Sequence, residues 1–242
     1  MGMNASNKIA TFFKYFVLIL VGIIMIYPLL WMISATFKDN SEIFAGIGLW
    51  IKKPTLDGYR NALNNFGGSI NILQAMLNTY SYVLPKVICT VVSACVAAYG
   101  FGRFDFPGRK LLFNIMLATL FLPQVVLNVP QYLLYNKFGW LDSPFYLAIW
   151  VHCAFATETY FVYQLIQFMW SCNDFMGPLL YVSTPGKYPM SLFVKLSMDG
   201  DTGFAWNKIL ALSLISILPQ LIVFFCAQDQ FVEGISAGAV KG

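Results

Sequence analysis

The chain has 242 residues, of which 58% are hydrophobic and 11% charged, whereas soluble domains carry about 25% charged residues. So much apolar side chain cannot be buried inside a protein of this size, and the surplus must face lipid or partner subunits. The net charge of +4 is too dilute for nucleic-acid binding, which needs a clustered basic stripe. The composition therefore predicts a membrane protein with no nucleic-acid partner.

Few residues of this chain are suited to catalysis. The five cysteines lie in apolar stretches without CxxC spacing, so they predict neither a disulfide framework nor a zinc site. His152, the single histidine, lies in an apolar run, and we interpret it as a packed or pore-lining residue rather than a general base. We expect no catalytic residues, no cofactor and no metal ligands, which disfavours a membrane-bound enzyme.

Apolar runs with little or no charge predict the membrane-spanning helices, because a helix needs about 20 predominantly apolar residues to cross a bilayer. The first run follows Lys8 and Lys14, which predicts an uncleaved signal anchor with its N-terminus inside. We predict one domain, 1–242, with an outer loop at 38–77 and a polar loop at 183–208 that we also place outside. The predicted spans are 15–37, 78–102, 111–135, 145–168 and 209–228, with a short partial span at 169–182.

A short basic segment follows the second span. Arg103, Arg109 and Lys110 fall within eight positions, a density that marks a cytoplasmic loop. In the simplest interpretation these residues fix the topology, and in the alternative they contact an ATPase or lipid phosphate.

Amides and phenols inside the third and fourth spans are candidates for a substrate pathway. Gln124, Asn128 and Gln131 repeat at i, i+4 and i+7, and Tyr163 and Gln167 share one face of the fourth span. Such a stripe must face a polar neighbour or a wet cavity, because lipid offers no hydrogen-bond partner. Neutral amides and phenols suit sugar hydroxyls, but the same residues also join helices in proteins that transport nothing.

Charged residues inside the spans need partners or a cavity. Lys86 and Glu158 fall at similar predicted depths, so we hypothesise an ion pair between the second and fourth spans; alternatively, Lys86 snorkels and Glu158 lines a cavity. Asn173 and Asp174 stand beside Gly177 and resemble a broken-helix site that could meet a hydroxyl-rich solute. The alternative for this pair is an ordinary helix cap.

Six short motifs in order make the chain resemble the permease subunits of binding-protein-dependent ABC importers for carbohydrates, of the maltose and glycerol-phosphate type. They are Pro54-Thr55-Leu56-Asp57-Gly58-Tyr59, Asn78-Thr79, Ala97-Ala98-Tyr99-Gly100-Phe101-Gly102-Arg103-Phe104 with Phe106-Pro107-Gly108-Arg109, Pro123-Gln124, Asn173-Asp174-Phe175-Met176-Gly177-Pro178-Leu179, and Phe231-Val232-Glu233-Gly234-Ile235 with Gly238-Ala239-Val240-Lys241-Gly242.

The resemblance implies a six-helix permease of the cytoplasmic membrane that forms half of a translocation pathway. Its implied partners are a second permease subunit, a dimer of cytoplasmic ATPases that bind the ATP, and an extracytoplasmic sugar-binding protein. Transport would follow alternating access, with the substrate held near mid-membrane.

One departure from the family is large. Such permeases have a cytoplasmic coupling loop after the fourth span, with Glu-Ala-Ala followed by Asp-Gly, whose helix sits in the ATPase. Here Gln167 and Phe168 run directly into Met169 and Trp170, so the loop and most of the fifth helix are missing. A truncated, uncoupled permease is therefore the alternative, and an ion-coupled transporter or channel using Glu158 and Asp174 is a third.

The proposed ion pair can be tested by charge reversal. Reversing Lys86 or Glu158 alone should abolish folded expression, because each leaves two like charges in the bundle. Reversing both should restore it, as measured by the monodisperse yield from membranes. If the double variant is expressed as poorly as the single ones, the two residues do not pair.

Overall fold

The computed structural model describes residues 5–64, 70–119, 124–142, 161–199 and 205–239. Every element in these ranges is helical, which confirms the predicted all-α class. The helices are α1 Ala5–Thr36, α2 Asn40–Ile43, α3 Asp57–Leu63, α4 Ile72–Arg103, α5 Arg109–Thr119, α6 Gln124–Lys137, α7 Phe161–Cys172, α8 Met176–Tyr181, a 3-10 turn at Pro185–Lys187, α9 Met190–Asp199 and α10 Trp206–Ala239.

Three helices in the described ranges are long and apolar enough to cross a membrane: Ala10–Thr36 of α1, all of α4, and Trp206–Asp229 of α10. They contain nearly all of the first, second and last predicted spans. Each holds an internal proline, Pro28, Pro85 or Pro219, yet continues as one helix.

Elsewhere the helix boundaries differ from the predicted ones. The run 111–135 is divided between α5 and α6, with Pro123 outside the described residues. Helix α7 continues through position 168, where the fourth span was predicted to end, and most of 145–168 also lies outside them. Moreover, α9 stands within the predicted polar loop 183–208. The Gly-rich end of the chain continues α10 as far as Ala239, because scattered glycines weaken a helix without ending it.

The chain forms two compact units. The first comprises Met1–Asn64 with Asp201–Ile215, and the second comprises Asn65–Gly200 with Ser216–Gly242.

In the first unit the loop after α1 is folded rather than extended. Lys38 is buried and donates a hydrogen bond to the carbonyl of Gly48. The carboxylate of Glu42 accepts a hydrogen bond of 2.8 Å from the backbone N–H of Lys52. The first bond satisfies an ammonium group that would otherwise be buried without a partner, and the second holds the loop at its surface.

Gly58 explains part of the Pro54–Tyr59 motif in physical terms. It is buried in α3, and a β-carbon there would lie 2.7 Å from the carbonyl oxygen of Asn207. Next to it, the hydroxyl groups of Tyr59 and Thr36 are 2.9 Å apart and share a hydrogen bond. Glycine is therefore required for the close approach of α3 to the start of α10.

Substituting Gly58→Ala should destabilise the first unit by about 1–3 kcal/mol, because the new methyl group forces two backbones apart. Thermal unfolding of the purified protein in detergent measures the effect, and Gly46→Ala is the matched control, since a β-carbon at Gly46 meets nothing within 4 Å. Equal unfolding midpoints for the two variants would contradict the proposed contact.

Candidate functional site

Helix α4 is the element around which the candidate site of the second unit is built. Helix α7 packs along it: the Tyr80 ring stacks on that of Phe168 at 6.4 Å, and the Tyr82 hydroxyl donates to the Ser171 carbonyl at 3.4 Å. Gln167, a predicted pathway residue, is buried on α7. The site thus lies where two apolar helices bring a few polar groups into contact.

The break between α7 and α8 holds the predicted pair Asn173 and Asp174. The Asn173 amide nitrogen donates hydrogen bonds of 2.8 Å to the carbonyl of Met169 and to the side-chain oxygen of Gln220 on α10. The Asp174 carboxylate accepts a 3.1 Å bond from the backbone N–H of Gly177. In the structure, therefore, Asp174 caps α8 and Asn173 joins two helices.

Hydrogen bonds from two further elements surround this break. The Ser191 hydroxyl of α9 donates to the carbonyl of Asp174 at 2.6 Å. The Thr79 hydroxyl of α4 accepts a 2.8 Å bond from the backbone N–H of Met190, the first residue of α9. The residue before it on α4, Asn78, donates from its side-chain amide to the carbonyls of Gly186 and Tyr188 at 2.9 and 3.1 Å. The Asn78-Thr79 motif thus anchors the start of α9 to α4.

A small cavity of about 10 Å³ lies beside the break. It has room for roughly one water molecule and is too small for a sugar. Its lining consists of Met76, Thr79, Tyr80, Cys172, Met190, Ser216 and Gln220.

Lys86 is half-buried on α4, four residues after Tyr82. Glu158, its predicted partner, lies outside the described residues, so that ion pair stays a prediction.

The remaining predicted pathway residues lie on α6 and α7. Asn128 and Gln131 are half-buried on α6. Gln124 begins α6 and Tyr163 lies near the start of α7, but their side chains are outside the described part of the structure.

Sequence reasoning missed an aromatic cluster in the second unit. The ring of Tyr181 lies 5.5 Å from that of Tyr135 and stacks on that of Tyr132 at 6.4 Å, and Trp140 lies 6.0 Å from Tyr135. Tyr135 and Tyr181 are buried, whereas Tyr132 is partly exposed. The i, i+3 spacing of Tyr132 and Tyr135 on α6 was the available sequence signal.

Sequence reasoning also missed the hydrogen bonds of Asp142, which we call the Asp142 tie. The backbone N–H of Asp142 donates to the carbonyl of Tyr181 at 3.0 Å, and its carboxylate accepts from the backbone N–H groups of Ser183 and Thr184 at 3.2 and 3.1 Å. The Thr184 hydroxyl and the Lys187 ammonium complete the tie. Partial burial raises the pKa of this carboxyl, but the bonds from Thr184 and Lys187 outweigh it and hold the pKa below its usual range.

The Asp142 tie brings the ends of the segment 143–180 together. Asp142 and Tyr181 are hydrogen-bonded, so the 38 residues between them begin and end at one place. Two complete membrane crossings need about 40 residues before any turn is counted. Two such crossings would therefore use the whole length of the segment.

The fold and the apolar helices define the class as a polytopic helical membrane protein with the fold of an ABC importer subunit. The structure superposes with a TM-score of 0.76 on a chain from the crystal structure of a bacterial ABC transporter involved in the import of the acidic polysaccharide alginate. The superposition covers 96% of this chain and 99% of that one, at 16% sequence identity.

Curated relatives give the closer description: the chain resembles permease subunits of carbohydrate ABC importers, and it lies in the cytoplasmic membrane. It is 23% identical to the galactooligosaccharides transport system permease protein of Bacillus subtilis, with 99% of both chains covered. It is 24% identical to the diacetylchitobiose uptake system permease protein of Streptomyces coelicolor, with 98% of this chain and 91% of the relative covered. The trehalose/maltose transport system permease protein of Thermococcus litoralis is 23% identical, over 93% of this chain and 94% of its own. No protein-family model matches the chain.

The alignments also show that the relatives have residues without counterparts here. The Bacillus alignment runs over 283 positions, whereas this chain has 242 residues, so at least 41 positions face a gap. Because that alignment covers 99% of both chains, these positions lie within it rather than at its ends.

The Asp142 tie predicts a pH-dependent contribution to stability. An aspartate has a pKa of about 3.9 when unfolded, so a carboxyl with a lowered folded pKa stabilises the protein fully above about pH 4 and loses that effect as the pH falls through the folded value. At pH 7, Asp142→Asn should lose about 1 kcal/mol, or about 2–4 °C in the unfolding midpoint, and the difference should shrink as the pH falls below about 4.

The matched control is Asp57→Asn, because Asp57 is exposed and comes no closer to Arg60 than 4.0 Å. This variant should unfold like the wild type both at pH 7 and at acid pH. A pH-independent difference for Asp142→Asn, or none at all, would contradict the charged role of Asp142.

Proposed function

We propose that the chain is a permease subunit of an ATP-driven, binding-protein-dependent sugar importer and forms half of its translocation pathway. One observation carries this proposal: nearly the whole chain aligns with permease proteins described as serving galactooligosaccharide, diacetylchitobiose and trehalose/maltose uptake. The three membrane-length apolar helices support it. The permease itself performs no chemistry, and ATP is bound by partner subunits.

In the proposed mechanism the substrate passes between this chain and a second permease. A binding protein delivers the sugar from outside, and closure of two cytoplasmic ATPases rocks the permeases between outward- and inward-facing states. The proposed pathway residues are Gln124, Asn128, Gln131, Glu158, Tyr163, Gln167, Asn173 and Asp174. Amide groups at mid-membrane would exchange hydrogen bonds with sugar hydroxyls while the substrate is desolvated.

The described contacts divide these residues into two groups. Asn173 and Asp174 bond to Gln220 and Gly177, so we propose that they hold the helices that form the pathway. Asn128 lies on α6, a helix that carries no acidic residue and a single basic one at its end. We propose that Asn128 contacts the sugar directly and that Gln131, three residues further along the same helix, lines the pathway beside it.

A second candidate function is an uncoupled permease that inserts but does not transport. The short 143–180 segment and the internal gap favour it, because the loop that enters the ATPase in such permeases has no room here. An ion-coupled carrier is the third candidate. The use of Asp174 as a helix cap speaks against it, since a capping carboxylate is already engaged by the protein.

The direct test is co-purification of the chain in nanodiscs with its neighbouring permease and ATPase, followed by ATP hydrolysis with and without loaded binding protein. We expect a stoichiometric complex whose hydrolysis rises when the sugar-loaded binding protein is added. A complex that forms without any response, or an ATPase that does not bind, would favour the uncoupled permease. Sugar uptake into proteoliposomes that needs an ion gradient and no ATPase would favour the ion-coupled carrier.

Direct sugar contact by α6 predicts a difference between neighbouring positions. When that complex is reconstituted in proteoliposomes, Asn128→Ala should raise the sugar concentration for half-maximal uptake about fivefold, the effect of losing one hydrogen bond of about 1 kcal/mol. Val129→Ala is the control, since Val129 is exposed on another face of the same helix. Equal effects of the two variants would argue that Asn128 has only a helix-packing role.

A further inference from the structure

A groove of about 850 Å³ lies at the turn between α4 and α5, which the positive-inside rule places at the cytoplasmic surface. The turn is tight: Gly108 has a φ of +88°, and the backbone N–H of Arg109 donates to the carbonyl of Phe106 at 3.2 Å. Because the turn follows directly on the membrane-length helix α4, the groove lies at the level of lipid headgroups.

The floor of the groove is aromatic. The ring of Phe101 lies 5.9 Å from that of Phe106 and 5.7 Å from that of Phe113, in an edge-to-face arrangement with the latter. Leu111 extends this apolar lining and is exposed. A patch of this kind at a membrane boundary is suited to the first carbons of an acyl chain rather than to water.

The rim of the groove is basic. Arg109 and Lys110 line it together with one acid, Asp105. The Arg109 guanidinium pairs with Asp105, whose side chain is almost fully exposed, and such surface pairs contribute little. Lys110 is exposed beside them, and Arg103 is exposed at the end of α4, so the segment 103–110 keeps a net positive charge.

We propose that this groove binds an anionic phospholipid of the cytoplasmic leaflet, with the phosphate at Lys110 and Arg109 and the upper acyl chain on the phenylalanine rings. Basic pockets at the cytoplasmic ends of membrane helices attract anionic headgroups, and each nearby Lys or Arg contributes about 1 kcal/mol. The volume suits a ligand portion of drug-like size, meaning a headgroup with its glycerol and first methylene groups. The site does not depend on transport, so it can exist whether or not the chain couples to an ATPase.

An ATPase surface is the main rival occupant. It would satisfy the basic rim, but the phenylalanine floor would then face a water-soluble protein. A lipid satisfies both parts of the groove at once, and it is always present at this depth.

Native mass spectrometry of the full-length chain, released from nanodiscs of equimolar phosphatidylglycerol and phosphatidylcholine, measures which lipid is retained. The test variant is Arg109→Gln with Lys110→Gln, and the matched control is Lys52→Gln with Lys53→Gln, another adjacent and exposed basic pair of equal charge. We expect the wild type and the control to retain phosphatidylglycerol preferentially. The test variant should lose about fivefold in that preference for each charge removed.

Three outcomes would overturn the proposal. These are equal retention of the two lipids by the wild type, equal loss of phosphatidylglycerol in both double variants, and loss of ATPase co-purification by the test variant with its lipid preference intact. If the double variant fails to fold, Lys110→Gln and the charge-preserving Lys110→Arg take its place, and only the first should lose the preference.

Discussion

The arrangement of the polar residues in the second unit depends on the Asp142 tie. One carboxylate, one backbone N–H and one lysine hold residue 142 beside Tyr181 and the turn that follows it. Few residues other than glycine adopt the positive φ of 59° found at Asp142, but aspartate tolerates this conformation. Tyr181, the last residue of α8, is thereby held at residue 142. The helix break at Asn173, between α7 and α8, contacts α10.

The same tie bears directly on coupling to ATP. A lever that carries motion from an ATPase must reach the cytoplasm, and two membrane crossings of about 20 residues each would use all 38 residues of the segment 143–180. The alignments with two relatives run over 283 and 279 positions, more than the 242 residues of this chain. If this chain works with an ATPase, the basic turn between α4 and α5 is the described segment best placed to meet it, unless lipid already occupies that groove.

Much of the fold follows from simple sequence patterns. The long apolar runs predicted α1, α4 and α10 because lipid disfavours charge and every backbone group must bond within the helix. Boundaries inside 111–182 could not be predicted in the same way. Apolar residues predominate in that part of the chain, so hydropathy alone does not show where one helix ends, and α7 continues past residue 168.

The candidate site was predictable as a set of polar residues but not as an arrangement. The pair Asn173 and Asp174 was noticed from its glycine-proline neighbour, yet its partners Gln220 and Ser191 are distant in sequence and carry no local signal. The hydrogen bonds of Asp142 could not be predicted either, because an aspartate in a short loop ordinarily faces solvent. Gly58 stood in a recognisable motif, but only the approach of Asn207 shows why glycine is needed there.

The most direct test of the central claim is to measure on which side of the membrane the Asp142 tie lies. In a background without native cysteines, Asp142→Cys and Thr184→Cys are introduced singly and together into membrane vesicles of known orientation. We predict that an impermeant thiol reagent labels both single variants from the external face and that the double variant forms an intramolecular disulfide under mild oxidation. Labelling of the two positions from opposite faces would show that residues 142 and 184 do not lie on the same side of the membrane. It would then contradict the proposal that the segment between them is too short to carry a coupling loop.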